Sequence, residues 1–365
     1  MSESDIQEYL AEIENIHDLL VEYIEEDNEM KFSDIINLFE NKKIQENKQK
    51  FTSVLYLLSK FSNNYHRLPN FFTKLEKIIT YFQITIKRYF TNEQIFNIFK
   101  GNNRILLFLL TQQILQPYEK IYNFMLHNDY LAYFYKEIKS SMSEKMQKNL
   151  ISKHPEILDE KAYEMKRLIG ENDSHICQLI RNDSIDEFVQ FITQANLNTQ
   201  SHIKYSIFET NSFLLKKLKV SLIKYAAFCG SVNIFQYLKM NGAKVKPSLL
   251  LFAIHSNSTE MISIIESLFP ENSTEFYHLC LKEAAKCHHN NVATHILNNL
   301  PDDKDKDIIF FTQSLKYYNF FNLDKIPNFE ENKRSIYFYL WNYDYIFLVQ
   351  KLTQVQDDGM SLIIS

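Results

Sequence analysis

The sequence predicts an all-α protein, a helical N-terminal domain followed by a solenoid of helical repeats. Three observations carry that expectation. Glycine and proline are scarce, 5 and 7 in 365 residues, whereas sheet-rich folds lean on glycine for tight hairpin turns. Apolar residues recur at helical spacing between short polar breaks along residues 32–138. The stretch SLIKYAAFCGSVNIFQYLKMNGAKVK at 221–246 reads as two short helices joined by a glycine turn.

Composition also narrows the function classes. The glycines stand at 101, 170, 230, 242 and 359, whereas a phosphate-cradling loop needs several within about eight residues. A Walker A site, a GxGxxG fingerprint, a kinase glycine loop and a GxSxG elbow are therefore excluded. Net charge is −5, so no basic field recruits nucleic acid. The 29 Phe, 22 Tyr and single Trp are read mainly as core. Cys177, Cys229, Cys280 and Cys287 are too few for a disulfide framework. The acidic start MSESDIQEYLAEIEN lacks the basic and apolar regions of a signal peptide. The longest apolar run, 105–110, is far below the roughly 18 residues that span a bilayer. A cytoplasmic protein without membrane insertion is expected.

In chain order, the first thirty residues hold eleven acidic side chains and no Lys or Arg. Ile6, Leu10, Ile13, His17, Leu20 and Ile24 follow a 4-3-4-3-4 spacing that draws one stripe along a helix. The expected role is packing on its own domain, with docking to a partner as the alternative. Ser33 can cap a helix through Phe39, and a longer one runs through Val54, Leu55, Leu58 and Phe61 to Ser62-Asn63-Asn64. Pro69 opens a helix bearing Phe72, Leu75, Ile79 and Phe82. Asn92 precedes Ile95, Phe96 and Phe99, with Gly101 as a left-handed stop. Residues 104–115 are the most apolar segment, and Pro117 separates them from 121–126. Short polar links between helices fit a bundle or solenoid.

Residues 139–153 are polar and lysine-rich, and GENDS at 170–174 is a turn cluster. The expected division is a helical domain at 1–168, repeats at 172–355 and a short tail at 356–365.

Residues 221–246 match an ankyrin repeat along their length. Ser221 and Ile223 stand at the Thr and Leu of TPLH, followed by Ala226-Ala227, Gly230, the Ile234-Phe235-Leu238 ridge and Gly242-Ala243. Small alanines let two helices approach, Gly230 turns the chain, and Gly242 supplies a positive φ that ends the second helix. A shift of 27 carries Ile223, Ala226, Ile234, Phe235 and Leu238 to Leu250, Ala253, Met261, Ile262 and Ile265. A further 31 reaches Leu281, Ala284, Val292, Ala293 and Ile296. Asn257 and His288 replace the turn glycine. Weaker copies lie at 176–192 and 337–352. Both intervals fall short of the ankyrin period of about 33, so a divergent ankyrin-like array with shortened fingers is expected.

A narrower likeness rests on NNYHRLPNFFTKLEKII, IFNIFKGNNRILLFLL, NDSIDEFVQFI, SLIKYAAFCGSVNIFQYL, SLLLFAIHSNS and KEAAKCHHNNVATHI. In this order they resemble a protein family of trichomonad protists, over about residues 5–355. In that family a helical N-terminal region leads into divergent, then regular, ankyrin repeats. The resemblance implies a non-enzymatic protein with no known ligand. Family members usually continue into regular repeats, whereas the present sequence ends on DDGMSLIIS. Binding through such added repeats is therefore not implied.

Candidates for chemistry are few. His278, Cys280, Cys287, His288, His289 and His295 fall within eighteen residues. They lack the paired CxxC or HxxxH clamp of a zinc site, and a Cys–His nucleophile needs an orienting group and an oxyanion hole. Turn and core roles are expected, with no metal, cofactor or catalytic residue. DKDKD at 303–307 lacks the glycine and glutamate of an EF-hand.

The expected function is a protein–protein interaction scaffold using the concave face of its repeats. Lys224, Phe228, Leu251, His255, Lys282 and Lys286 are the expected exposed inner-helix positions, suited to an acidic, partly hydrophobic partner. The bland alternative is that the N-terminal domain or a neighbouring turn covers them. Two other classes stay open: a self-associating structural protein using the acidic first helix, and a thiol or metal hydrolase centred on Cys287.

Overall fold

A computed structural model describes residues 3–26, 28–127, 130–217, 219–300 and 303–321, with 334, 338–343 and 345. The chain opens with α1 (Glu3–Glu25), α2 (Glu29–Asn41), α3 (Lys48–Asn64) and α4 (Phe71–Tyr81). It continues through α5 (Gln83–Tyr89), α6 (Asn92–Phe99), α7 (Asn103–Thr111), α8 (Glu119–Met125), α9 (Tyr135–Ile138), α10 (Glu144–Lys153) and α11 (Glu160–Ile169). Then come α12 (His175–Arg181), α13 (Ile185–Gln194), α14 (Ser212–Leu215), α15 (Leu222–Cys229), α16 (Val232–Met240), α17 (Leu249–Ser256) and α18 (Thr259–Leu268). Last are α19 (Thr274–Cys287), α20 (Asn290–Asn298) and α21 (Lys306–Tyr317). The described residues are thus helical wherever regular, apart from one isolated antiparallel bridge between His202 and Ser221. None of their helices is long and apolar enough to cross a membrane. The all-α expectation holds.

Two compact units divide the chain. One comprises Met1–Phe61, Tyr65–Ile78 and Phe269–Ser365, the other Ser62–Asn64 and Ile79–Leu268.

In the first unit the stripe of α1 is used internally. Ile13, His17, Leu20 and Ile24 are all buried, and α1 packs on α2. Acidic residues around the stripe meet cations of the same unit, Lys31 with Glu22 at 2.7 Å and Lys50 with Glu12, while Lys77 meets Glu29 at the start of α2. The last turn of α1 holds no basic residue of its own. Lys74 fills that role, donating to the carbonyls of Ile24 at 3.2 Å and Glu26 at 2.8 Å, where helix carbonyls lack partners. The packing role expected for α1 is therefore the one observed.

Sequence-level caps are only partly right. Asn28, not Ser33, caps α2, its side chain accepting from Met30 N at 2.9 Å, so the helix begins a turn earlier. Thr91 and Gln94 form a capping box on α6. Gly101 carries no positive φ. Its missing Cβ instead makes room for Asn63, whose amide nitrogen would lie 2.9 Å from an added methyl.

The second unit holds the stretch 168–172, which is knitted to both sides. Arg104 Nε donates to the Leu168 carbonyl at 2.7 Å, and Thr210 donates to the Gly170 carbonyl through N at 3.1 Å and Oγ1 at 2.7 Å. Arg167, 1% exposed, donates to Glu137 and Glu164 at 2.7 Å and to the Tyr133 carbonyl at 3.1 Å. A buried cation is tolerated only with such partners.

Both units reuse one backbone device, a helix ended by a left-handed residue, with a second helix following at once after α12, α15, α17 and α19. In the second unit the stops after α12, α15 and α17 are Asp183 (φ 48°), Gly230 (φ 74°) and Asn257 (φ 55°). In the first unit the stops after α19 and α21 are His288 (φ 60°) and Tyr318 (φ 55°). Four of these turns carry the six-to-one bond of a Schellman stop. They are Ser184 N to Leu179 O, Ser231 N to Ala226 O, His289 N to Ala284 O and Asn319 N to Ser314 O, all 2.9–3.1 Å. The apolar positions aligned by the offsets of 27 and 31 are all buried. The copy expected at 337–352 lies mostly outside the described residues, as does the tail.

Candidate functional site

Consecutive helix pairs are tied turn to turn. In the second unit α15 packs against both α12 and α17, and α13 against α16. Ser231, the residue before α16, makes no side-chain cap. Its hydroxyl donates instead to the Ile180 carbonyl of the preceding pair. Asp183 of that preceding turn caps α16 in its place, accepting from the backbone of Asn233 at 3.0 Å and of Ile234 at 2.9 Å. In the first unit Asn319 repeats the link, Nδ2 donating to the Ala285 carbonyl at 3.0 Å. In both cases the residue after a left-handed stop reaches the carbonyl three residues before the preceding stop. Gly230 is held closely as well, since an added Cβ would lie 3.2 Å from the Cβ atoms of Ser256 and Ser258.

The six expected face residues are placed as follows. In the second unit Lys224, Phe228 and Leu251 are half-buried, and His255 is only 2% exposed. Phe213, from α14, lies 4.1 Å from the His255 ring and 6.1 Å from Phe228, centroid to centroid. Lys224 Nζ sits 5.5 Å over Phe252. In the first unit Lys282 and Lys286 are half-buried, and Lys286 pairs with Glu283. Five of the six keep partial exposure, and the expectation is corrected at His255, which belongs to an aromatic cluster. Its cover comes from the long connection between α13 and α15. That insertion, NSFLLK at 211–216, was the available signal.

The Cys/His-rich segment disperses into separate roles. His278 pairs with Asp303, and His295 Nε2 lies 3.2 Å from the Asn299 side-chain nitrogen. Cys280 and Cys287 are buried. Burial, with Glu283 adding to it, pushes the Cys287 thiol well up, so it is held protonated rather than as the thiolate a nucleophile requires.

His288 and His289 enter a buried histidine assembly inside the first unit. His17 Nε2, from α1, lies 3.0 Å from His288 Nδ1. His66 Nδ1, between α3 and α4, lies 3.0 Å from His289 Nε2. His17, His288 and His289 are buried and His66 is half-buried. Aromatic rings surround them: Phe61 lies 5.7 Å from His17 and 4.6 Å from His288, and Tyr65 lies 5.4 Å from His289. Tyr65 is oriented by donating to Glu25 at 2.6 Å. Burial lowers His17 to about 3, and burial with the Arg67 charge lowers His66 to about 4. Burial, His17 and His289 hold His288 well below its ordinary value. These three imidazoles are therefore neutral at neutral pH. In the first pair, one nitrogen donates and the other accepts. Sequence reasoning placed His17 on a stripe and His288 at a turn, but it could not see partners 271 residues apart.

No protein-family model, no curated protein and no solved structure matches this chain.

Proposed function

We propose that this chain is a non-enzymatic protein–protein interaction module, a divergent ankyrin-like helical-repeat solenoid that presents the sides of its first helices to a partner. The observation that carries the reading is the repeated helix, left-handed stop and helix, with its pair-to-pair hydrogen bonds. Such arrays gain stability from neighbour contacts and leave an extended surface for recognition. The run AAFCGS followed by NGA, and the likeness to the trichomonad ankyrin-containing family, support the same reading. The positions assigned to recognition are Lys224, Phe228 and Leu251 in one unit and Lys282 and Lys286 in the other. His255 takes a packing role. Within the second unit, Lys224 together with Phe228 and Leu251 favours a partner segment that is acidic and partly hydrophobic. The setting proposed is the cytoplasm.

The test is affinity purification from the source cell with the full-length chain, comparing wild type with a Lys224→Glu, Lys282→Glu variant whose helicity is unchanged. Loss of the co-purifying protein from the variant is expected. A partner retained at wild-type level by the folded variant would remove these positions as the site.

A further inference from the structure

We propose that the two imidazole–imidazole pairs form an acid-operated latch, holding α1 and the segment at 65–66 to the α19–α20 turn at neutral pH and releasing them on mild acidification. This goes beyond the interaction reading and does not depend on it.

The geometry carries the argument. Each contact joins parts of the first unit that are far apart in sequence, by 271 and 223 residues. Each requires an accepting imidazole nitrogen. One added proton per pair creates a buried imidazolium, and a second leaves two donor-only cations face to face. His17 Nδ1 has no hydrogen-bond partner that would welcome such a charge.

The surrounding charges do little to help. On α1, the nearest oxygen of Asp18 is 3.9 Å from His17 Nδ1, beyond hydrogen-bond reach. On α3, Lys60 opposes a proton on His288, and beside α4 Arg67 opposes one on His66. Glu25 is engaged by the Tyr65 hydroxyl. On α21 the Tyr317 carbonyl favours a proton on His288, but burial outweighs it. Within the α19–α20 turn, His289 disfavours a proton on His288.

The sign follows from these directions. His17, His66 and His288 have folded pKa values below the ordinary 6.5, so the opened form takes up protons first. The closed form has its full stability above about 6.5 and loses it as pH falls. Each such histidine shifts the opening equilibrium by up to about tenfold per pH unit. For three of them, the closed-to-open ratio falls on the order of a thousandfold between pH 7.5 and 5.5.

The experiment is amide hydrogen exchange of the full chain from pH 7.5 to 4.5, corrected for intrinsic rates, with the ring carbons of ¹³C-labelled histidines followed in parallel. Peptides covering 11–24 and 284–296 are expected to lose protection together, with a midpoint between about pH 5 and 6. A His17→Met, His288→Asn variant removes one pair while Asn keeps the left-handed turn. Its midpoint is expected to fall by about one pH unit or more. Where that variant does not fold, the wild-type spectra decide, because His17 and His288 should stay neutral until the segments open. The latch is overturned if both segments stay protected to pH 4.5. It is also overturned if these histidines titrate near 6.5 in the closed chain, or if the folded variant keeps the wild-type midpoint. Stoichiometric zinc in the neutral protein, lost in the variant, would equally overturn it by making the pair a ligand set.

Discussion

The turn at Gly230 in the second unit and the turn at His288 in the first are the same backbone object. Each ends a helix with a left-handed residue, at φ 74° and 60°, and each returns a backbone N–H to the carbonyl five residues earlier. Their side-chain ties differ. Ser231 reaches a backbone carbonyl through a hydroxyl, and Asp183 caps the next helix. His288 and His289 instead hold two other imidazoles. Backbone geometry sets where the pairs turn, and the residues placed there set what conditions the turn survives. A hydroxyl-to-carbonyl bond does not titrate between pH 5 and 8, whereas imidazoles released from their pairs do.

The comparison can be broken at several points. Phe235→Ala, at a fully buried ridge position, should cost the second unit about 3–5 kcal/mol, measured by denaturant unfolding. Gly230→Ala comes next at about 2–3 kcal/mol, because a left-handed alanine is strained and its methyl meets Ser256 and Ser258. Gly242→Ala shares the positive φ but has nothing within 4 Å, so about 1 kcal/mol is expected. Equal losses at the two glycines would show that crowding plays no part at Gly230. Ser231→Ala should cost about 1 kcal/mol, equally at pH 7.5 and 5.5, since it removes one neutral hydrogen bond. A cost that vanished in acid would erase the contrast between the turns.

Much of this was legible in local pattern. Helical spacing foretold the buried face of α1, offsets of 27 and 31 found buried positions, and Gly230 and Gly242 declared their positive φ. These features depend on periodicity and on the conformational range of single residues. What was not legible depends on tertiary meetings. Ser33 and Asn28 are both good caps by type, and only packing decides between them. Phe213 sits in an insertion that no repeat offset predicts, yet it covers His255 and Phe228. His17 looks like one polar residue on an apolar stripe until His288 is brought to it. Gly101 looked like a helix stop, but its lack of a side chain serves a close approach by Asn63.

The central claim is that His17 and His288 are coupled while neutral and take up protons only when the segments open. A double-mutant cycle of His17→Met and His288→Asn, run by unfolding at pH 7.5 and 5.5, measures that coupling directly. The account predicts a favourable coupling of about 1 kcal/mol that persists at pH 5.5, with wild type losing about 2–3 kcal/mol more stability than the double variant between the two pH values. Equal losses in wild type and double variant would contradict it.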